Sequence, residues 1–332
     1  MLATIAGGIL AAALAAAPQT DTTFTVQPGA RLEVRNTGGD ITVRTWDRNA
    51  VRIEAEHSSR TRVEVESSGS VVRVQARSRS APASIVDFRI TVPASMNLDL
   101  SGMYTEIDVQ GAQGEVSAQS VMGGITIRGG RGTVSARSVQ GEVLVEGAQG
   151  QVRAASTSED VRVVGASGEV YTESVSGDTY LERITSGRVE VVALSGDVYY
   201  DGTIQPRGRY SFVTHSGDVV VSVPEGTDAT ISVATLGGDV DASFPLPSRG
   251  DDPGRRFAYT LGSGSAQVEM ETFSGDVQLR RPGELTARLN AVRARNAERE
   301  RARAAAPRAR GTAGPGSGGE APPRPPRPPR VP

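Results

Sequence analysis

The sequence contains no cysteine and no lysine, a single tryptophan, and only two histidines, His57 and His215. Without cysteine there can be no disulfide, no thiolate metal ligand and no lipid-modified cysteine near the N-terminus. With two histidines far apart, a transition-metal centre has too few ligands, so neither a metal nor a cofactor is expected. Aromatic residues make up 4% of the chain. A chain so poor in them cannot fill a thick core, and its fold must be thin and held by many short-range contacts. All 36 basic residues are arginine.

Charge is unevenly spread. The formal net charge is −2, yet residues 281–332 hold twelve Arg against four Glu, which leaves −10 for the rest. An acidic body excludes nucleic acid as its expected partner. Residues Leu2 to Ala17 are uncharged, apolar and rich in Ala, ending in Ala15-Ala16-Ala17-Pro18. This run lacks the usual basic residues ahead of it and is shorter than the ~20 residues of a spanning helix. It reads as the apolar region of a secretory signal over 1–17, with a retained Ala-rich anchor as the alternative. The expected location is therefore periplasm, outer envelope or medium. No other stretch is long and apolar enough to cross a membrane as a helix.

What is abundant is repetition. After Ile107 an apolar or β-branched residue follows a Gly–acid or similar pair at Val116, Ile125, Val134, Val143, Val152, Val161, Val170 and Thr179, each nine residues on. One extra residue moves the next to Val189, and Val198 resumes the spacing. A longer memory lies beneath it. Alternate nonads open with Gly and a small residue, as in Gly111-Ala112, Gly129-Gly130, Gly147-Ala148 and Gly165-Ala166. The others open with Ser and a mostly β-branched residue: Ser120-Val121, Ser138-Val139, Ser156-Thr157 and Ser174-Val175.

Within each nonad, small or apolar residues alternate with mostly polar ones, the period of a half-buried strand. Two nonads then make one coil, whose strands lie in opposite sheets and pair with their equivalents one coil away, ~4.8 Å distant. The expected fold is an all-β, two-sheet parallel β-solenoid of about eighteen residues per coil, with longer rungs toward the C-terminus. An antiparallel meander of nine-residue units would pair neighbouring nonads and leave the eighteen-residue memory unexplained. A membrane barrel fails because Gln119, Arg137, Glu146 and Glu173 would face lipid.

The regular array is expected over 101–280. Residues 24–100 alternate too, with irregular spacing, and read as a strand-rich N-terminal cap over the first coil's open edge. Beyond Val198 the markers Gly217-Asp218-Val219, Gly238-Asp239-Val240 and Gly275-Asp276-Val277 spread apart, and a polar loop runs from Pro245 to Arg256. In 281–332, Leu285, Leu289 and Val292 share one face of a short helix. An Arg/Pro-rich segment follows, too poor in apolar residues to form a core.

Several chemistries are excluded by the residues themselves. Gly129-Gly130-Arg131-Gly132 resembles the opening of a calcium-binding nonapeptide, but the position that needs Asp holds Val134. Serines recur at repeat positions with no accompanying His/Asp constellation. The acids Glu142, Asp160, Asp178 and Asp197 share the fifth position of alternate nonads, where Gly–acid suits a corner and the carboxylate can accept backbone N–H groups. No set of acids departs from the repeat in the way a glycan-cleaving site requires.

Certain residues carry a resemblance: Gly38-Gly39-Asp40-Ile41 followed by Trp46, Ile90-Thr91-Val92-Pro93, Val221-Ser222-Val223-Pro224-Glu225-Gly226 and Ser274-Gly275-Asp276-Val277. Over about residues 24–280 the chain resembles the bacterial family named "putative adhesin", a domain of unknown function. The resemblance implies a β-solenoid and brings no catalytic residues with it. The expected function is a non-catalytic, exported envelope or secreted scaffold that presents a repetitive surface to envelope polysaccharide or another surface protein. The alternatives are a polysaccharide-acting enzyme on the same frame and a self-assembling structural protein. The Arg/Pro tail is expected to contact anionic polymers. The candidate ligand contacts are Tyr180 and Tyr199, outward and one rung apart, the adjacent corner acids Asp178 and Asp197, and Tyr171 at the matching place on the opposite sheet.

Overall fold

The computed structural model describes residues 19–78, 85–245, 256–287 and 289–290. The expected signal segment, most of the 245–256 loop, Val292 and the Arg/Pro-rich tail lie outside the described residues. The described residues through Ala287 form one compact unit.

In the middle of the chain the eighteen-residue memory becomes strand pairing. Val116–Ser120, Thr133–Ser138, Gln149–Ser156 and Ser167–Ser174 run parallel in a front sheet, with Val116, Val134, Val152 and Val170 in register. Ile125–Gly129, Val143–Glu146, Val161–Val164 and Thr179–Ile184 do the same in a back sheet, aligning Ile125, Val143, Val161 and Thr179. Adjacent nonads thus fall in opposite sheets, as a solenoid requires and a meander forbids. Parallel strands ordinarily need a long crossover, and here the opposite strand is that crossover. Ala118, Ala136 and Ala154 in front and Ile127, Val145 and Val163 behind are all buried, so small residues of one sheet and large ones of the other fill a narrow core.

The corners between front and back strands are closed by hydroxyls. Ser120, Ser138 and Ser156 donate Oγ–H to the carbonyls of Thr105, Gly123 and Gly141 at 2.8, 2.9 and 3.1 Å. Thr214, Thr272 and Thr235 repeat this toward Gly196, Gly217 and Gly275. A buried carbonyl left without a donor would cost ~1–3 kcal/mol, which explains the polar residue on the inner side of these corners. Glycine follows because the rungs stack so closely. At Gly217, with φ +148°, a Cβ would lie 2.2 Å from the Gly196 carbonyl oxygen.

The one-residue insertion seen in the sequence is absorbed as a bulge. Register shifts between Glu182 and Ile184, and the extra residue, Arg183, takes φ +52°. The rungs then lengthen, and Val198 pairs with Val219 twenty-one residues on.

At both ends the coils leave chain order. Arg31–Trp46 is a full coil whose two halves pair parallel with Asn97–Ala112 on one side. On the other side they meet Val71–Ser78 and Val86–Pro93. At the far end the last strands, Ala266–Ser274 and Val277–Arg280, slot between earlier ones. They separate Arg209–Ser216 and Val219–Ser222 from Ala229–Thr235 and Val240–Ala242. Antiparallel strands flank the stack: Thr61–Ser68, Ala50–His57 and Gln19–Thr25 at one end, Arg256–Leu261 at the other. Within the 24–100 region, then, residues 31–46, 71–78 and 86–93 are themselves parallel rungs, and the antiparallel strands alone lie beyond them.

Candidate functional site

The corner acids form a continuous ladder of hydrogen bonds. Oδ1 of Asp160 accepts the backbone N–H of Asp178 at 3.0 Å, and Asp178 accepts that of Asp197 at 2.8 Å. Asp197, Asp218 and Asp276 continue it to Asp218, Asp276 and Asp239, each at 2.9 Å. The order 160, 178, 197, 218, 276, 239 follows space rather than sequence, so the ladder crosses the rearranged end without a break. At the opposite end Asp87 accepts the N–H of Asp40 at 3.0 Å. These corner aspartates are thus spent on satisfying the next rung's backbone donor. Burial raises the Asp160 carboxyl above its ordinary value, and the neighbouring Asp178 charge adds to this.

The tyrosines stand beside this ladder. Tyr180 and Tyr199 stack one rung apart with ring centroids 5.1 Å apart and planes 3° from parallel. Their hydroxyls donate to Oδ2 of Asp178 and Asp197 at 3.0 and 2.8 Å. The Arg162 guanidinium lies 4.7 Å from the Tyr180 ring centre, beside Glu142 at 3.6 Å and Glu182 at 4.0 Å. This cluster points out of the back sheet, as the alternation requires, yet Tyr180 is 2% exposed and Tyr199 4%. Burial, reinforced by Asp178, holds the Tyr180 phenol far above its ordinary value.

The expectation of two exposed aromatics is therefore corrected: both rings are packed away from solvent. The rings are covered first by their own ladder neighbours, Arg162 over Tyr180 and the two tyrosines on each other, and the same face carries chain from beyond the last strand. The chain turns back as a helical segment at 282–287, where Thr286 Oγ1 donates to Asp201 Oδ2 at 3.2 Å and Leu285 is buried. Just before it, Arg281 donates to the Val223 carbonyl at 3.0 Å and lies over the Phe244 ring. Val220, also outward on this face, is fully buried.

Tyr171 fares differently. It stands on the front sheet, half-buried, in register with Arg153 on one side and Glu190 on the other. The five candidate residues therefore occupy two faces and do not converge. The histidines are apart as expected: His57 Nε2 lies 3.0 Å from Thr20 Oγ1, and His215 stacks on Phe273. Among the described residues no group of acids and histidines is placed to hold a metal.

The sequence reading missed a third feature. Immediately after the inward last position of each front strand, held by Ser, Thr, Gly102 or Ala193, the chain turns a corner with a side chain that is mostly in solvent. Pairing stacks these residues in the order Met103, Val121, Val139, Thr157, Val175, Leu194, His215, Phe273, Leu236. Six are exposed apolar residues, with Phe273 and Leu194 exposed by 52% and 51%; Thr157 and His215 are exposed along the same edge, and Val175 is half-buried. The next residue in each corner is Tyr104, Met122, Gln140, Ser158, Ser176, Ser195, Ser216, Ser274 or Gly237. This two-residue-wide strip over nine rungs contains no Arg, Asp or Glu, in a chain that is 22% charged. The signal was present in the Ser–Val openings of alternate nonads. Alternation alone could not show that the second residue of each pair sits on a corner.

Comparison with known proteins places the chain. The profile of the Toastrack DUF4097 family matches residues 30–280. No curated protein matches the chain. Among solved structures, one described as a "putative cell adhesion protein" from Clostridium sporogenes ATCC 15579 is 13% identical. It covers 80% of this chain and 100% of its own, with a TM-score of 0.21. A "putative adhesin" from Bacteroides fragilis NCTC 9343 is 11% identical over 80% of this chain and 97% of its own, with a TM-score of 0.39. A "putative lipid binding protein" from Parabacteroides distasonis ATCC 8503 is 9% identical over 78% and 96%, with a TM-score of 0.41.

Proposed function

The chain belongs to the Toastrack DUF4097 family, and from that premise we propose that it is a non-catalytic, exported envelope scaffold that binds polysaccharide on its front sheet. The observation that carries this reading is the arrangement around Tyr171. A half-exposed aromatic ring stands between Arg153 and Glu190 in consecutive rungs, with Glu169 and Glu173 on its own strand. Such a row offers a ring face for a sugar and charged groups on both sides for its hydroxyls, with rungs ~4.8 Å apart. The corner carboxylates that a hydrolase would draw on are engaged instead with backbone donors. The Arg/Pro tail, with its surplus of arginine, adds an attraction for anionic polymers that salt weakens.

The test is retention of the full chain on purified acidic and neutral envelope polysaccharides, with and without Arg153→Ala/Tyr171→Ala. Both residues face outward, so melting should stay unchanged while retention falls about tenfold, the equivalent of ~1.4 kcal/mol. Undiminished retention of the double variant would remove the front sheet from consideration, and release of shortened glycan by the purified chain would overturn the non-catalytic reading.

A further inference from the structure

We infer that the charge-free corner strip is a self-association surface that joins two copies of this chain side by side, in opposite directions. The strip runs nine rungs, about 38 Å at ~4.8 Å per rung. Monomeric proteins rarely leave so long an apolar row in water, and a row of half-exposed aliphatic and aromatic side chains amounts to several hundred Å². That approaches the ~800 Å² that each partner of a stable complex contributes.

Three features select a second copy as the occupant. The strip is convex, a corner rather than a cleft, so it suits no small molecule. It is free of charged side chains while the body is acidic, so a partner must offer an equally uncharged surface or leave charges desolvated and unpaired. Its repeat is the rung spacing itself, which a second strip matches along its whole length.

Direction follows from side-chain size. In the first column the large residues Leu194, His215, Phe273 and Leu236 follow one another and smaller ones run from Val121 to Val175, with Met103 at the far end; in the second column the large residues, Tyr104 and Met122, lie at that far end. Parallel strips would set Phe273 on Phe273 and Thr157 on Thr157, which holds the pair apart at one end and leaves a gap further along. A two-fold axis across the rods at Val175 sets Phe273 against Val121, His215 against Val139 and Leu194 against Thr157. These three large residues each meet a smaller one, and in the second column Tyr104 meets Gly237 and Met122 meets Ser274, as close packing requires, while Met103 and Leu236 meet at the two ends. The contact is isologous and closes as a dimer.

The chain has no native cysteine, so single cysteines report the geometry directly. Sedimentation of the full chain over a concentration series should show a reversible dimer. Leu194→Glu/Phe273→Glu, two changes at exposed positions, should shift it to monomer at least tenfold in dissociation constant with melting unchanged. Under mild oxidation Val175→Cys should cross-link to itself. Phe273→Cys should cross-link only when mixed with Val121→Cys. A wild-type chain that stays monomeric at every concentration overturns the inference, as does a dimer that survives the glutamate pair. Self-cross-linking of Phe273→Cys overturns the antiparallel arrangement. Partition of the monomer onto neutral phosphatidylcholine vesicles, lost in the glutamate pair, would instead assign the strip to a lipid surface. Loss of dimer leaves Tyr171 untouched, so this outcome and that of the polysaccharide test can be told apart.

Discussion

Tyr171 and Tyr180 occupy matching places in consecutive nonads, one on each sheet, and both point away from the core. Tyr171 stays half in water between two charged side chains, whereas Tyr180 is buried, with its hydroxyl on Asp178, Arg162 over its ring and Tyr199 stacked on it. The difference shows that alternation fixes only which way a side chain leaves its strand. What it meets there depends on whether another segment returns to that face. On the back sheet one does, so outward residues there act as a second, thinner core.

The largest expected effect breaks the comparison at adjacent residues. Val161 is fully buried between the sheets, and Val161→Asp places an unpaired carboxylate there with no partner in reach. It should cost more than ~4 kcal/mol and abolish folding. The next residue, Arg162, points outward, so alternation alone would make its replacement harmless. Its side chain is only 15% exposed and lies between Tyr180, Glu142 and Glu182. Arg162→Asp reverses the charge beside these acids and should cost about 3 kcal/mol. Denaturant unfolding of both variants measures the gap, and an Arg162→Asp variant as stable as the parent would show that the back face is open after all.

A finer change compares the tyrosines themselves. Tyr180→Phe and Tyr199→Phe each remove one hydroxyl from a corner carboxylate while keeping the stacked ring, at an expected cost of ~1 kcal/mol apiece. Tyr171→Phe should stay within ~0.5 kcal/mol, because water replaces whatever its hydroxyl loses. Equal losses at all three positions would erase the distinction between the two faces.

Much of this fold was legible in the residues. The eighteen-residue memory gave the strand register from Val116 through Thr179, and the single insertion after Leu181 became the bulge at Arg183. The corner acids were readable as backbone acceptors because Gly–acid pairs have few other reasons to recur at one position. Three features were not legible, for related reasons. The placement of 31–46 between later strands, and of 266–280 between earlier ones, joins segments far apart in sequence, with no periodicity to mark the neighbour. The burial of Tyr180 and Tyr199 comes from side chains on neighbouring rungs, and the return of the chain to that face, at Thr286 on Asp201, spans 85 residues of sequence. The exposed strip arises where the alternation stops, at corners, so a strand-period reading passes over it.

The smallest effect concerns Asp160, the acid with which the unbroken Asp ladder begins. Its Oδ1 holds the Asp178 N–H, and this bond alone would lower its pKa, yet burial and the Asp178 charge outweigh it and the carboxyl is raised. A raised carboxyl pKa means that the folded state holds its proton more tightly than the unfolded chain. Stability contributed by this group is therefore greatest in acid and declines as pH rises from the ordinary carboxylate range through the raised value. Asp160→Asn keeps an oxygen for the Asp178 N–H and removes the charge that burial penalises. The variant should be more stable than the parent at neutral pH, by less than ~1 kcal/mol, and the advantage should vanish below the ordinary carboxylate range, where Asp160 is neutral in both states. Paired unfolding curves across that range read the difference directly. An asparagine variant that is less stable at neutral pH would mean that the charged hydrogen bond outweighs the desolvation. The Asp ladder would then stabilise the back sheet through its charge as well as its geometry.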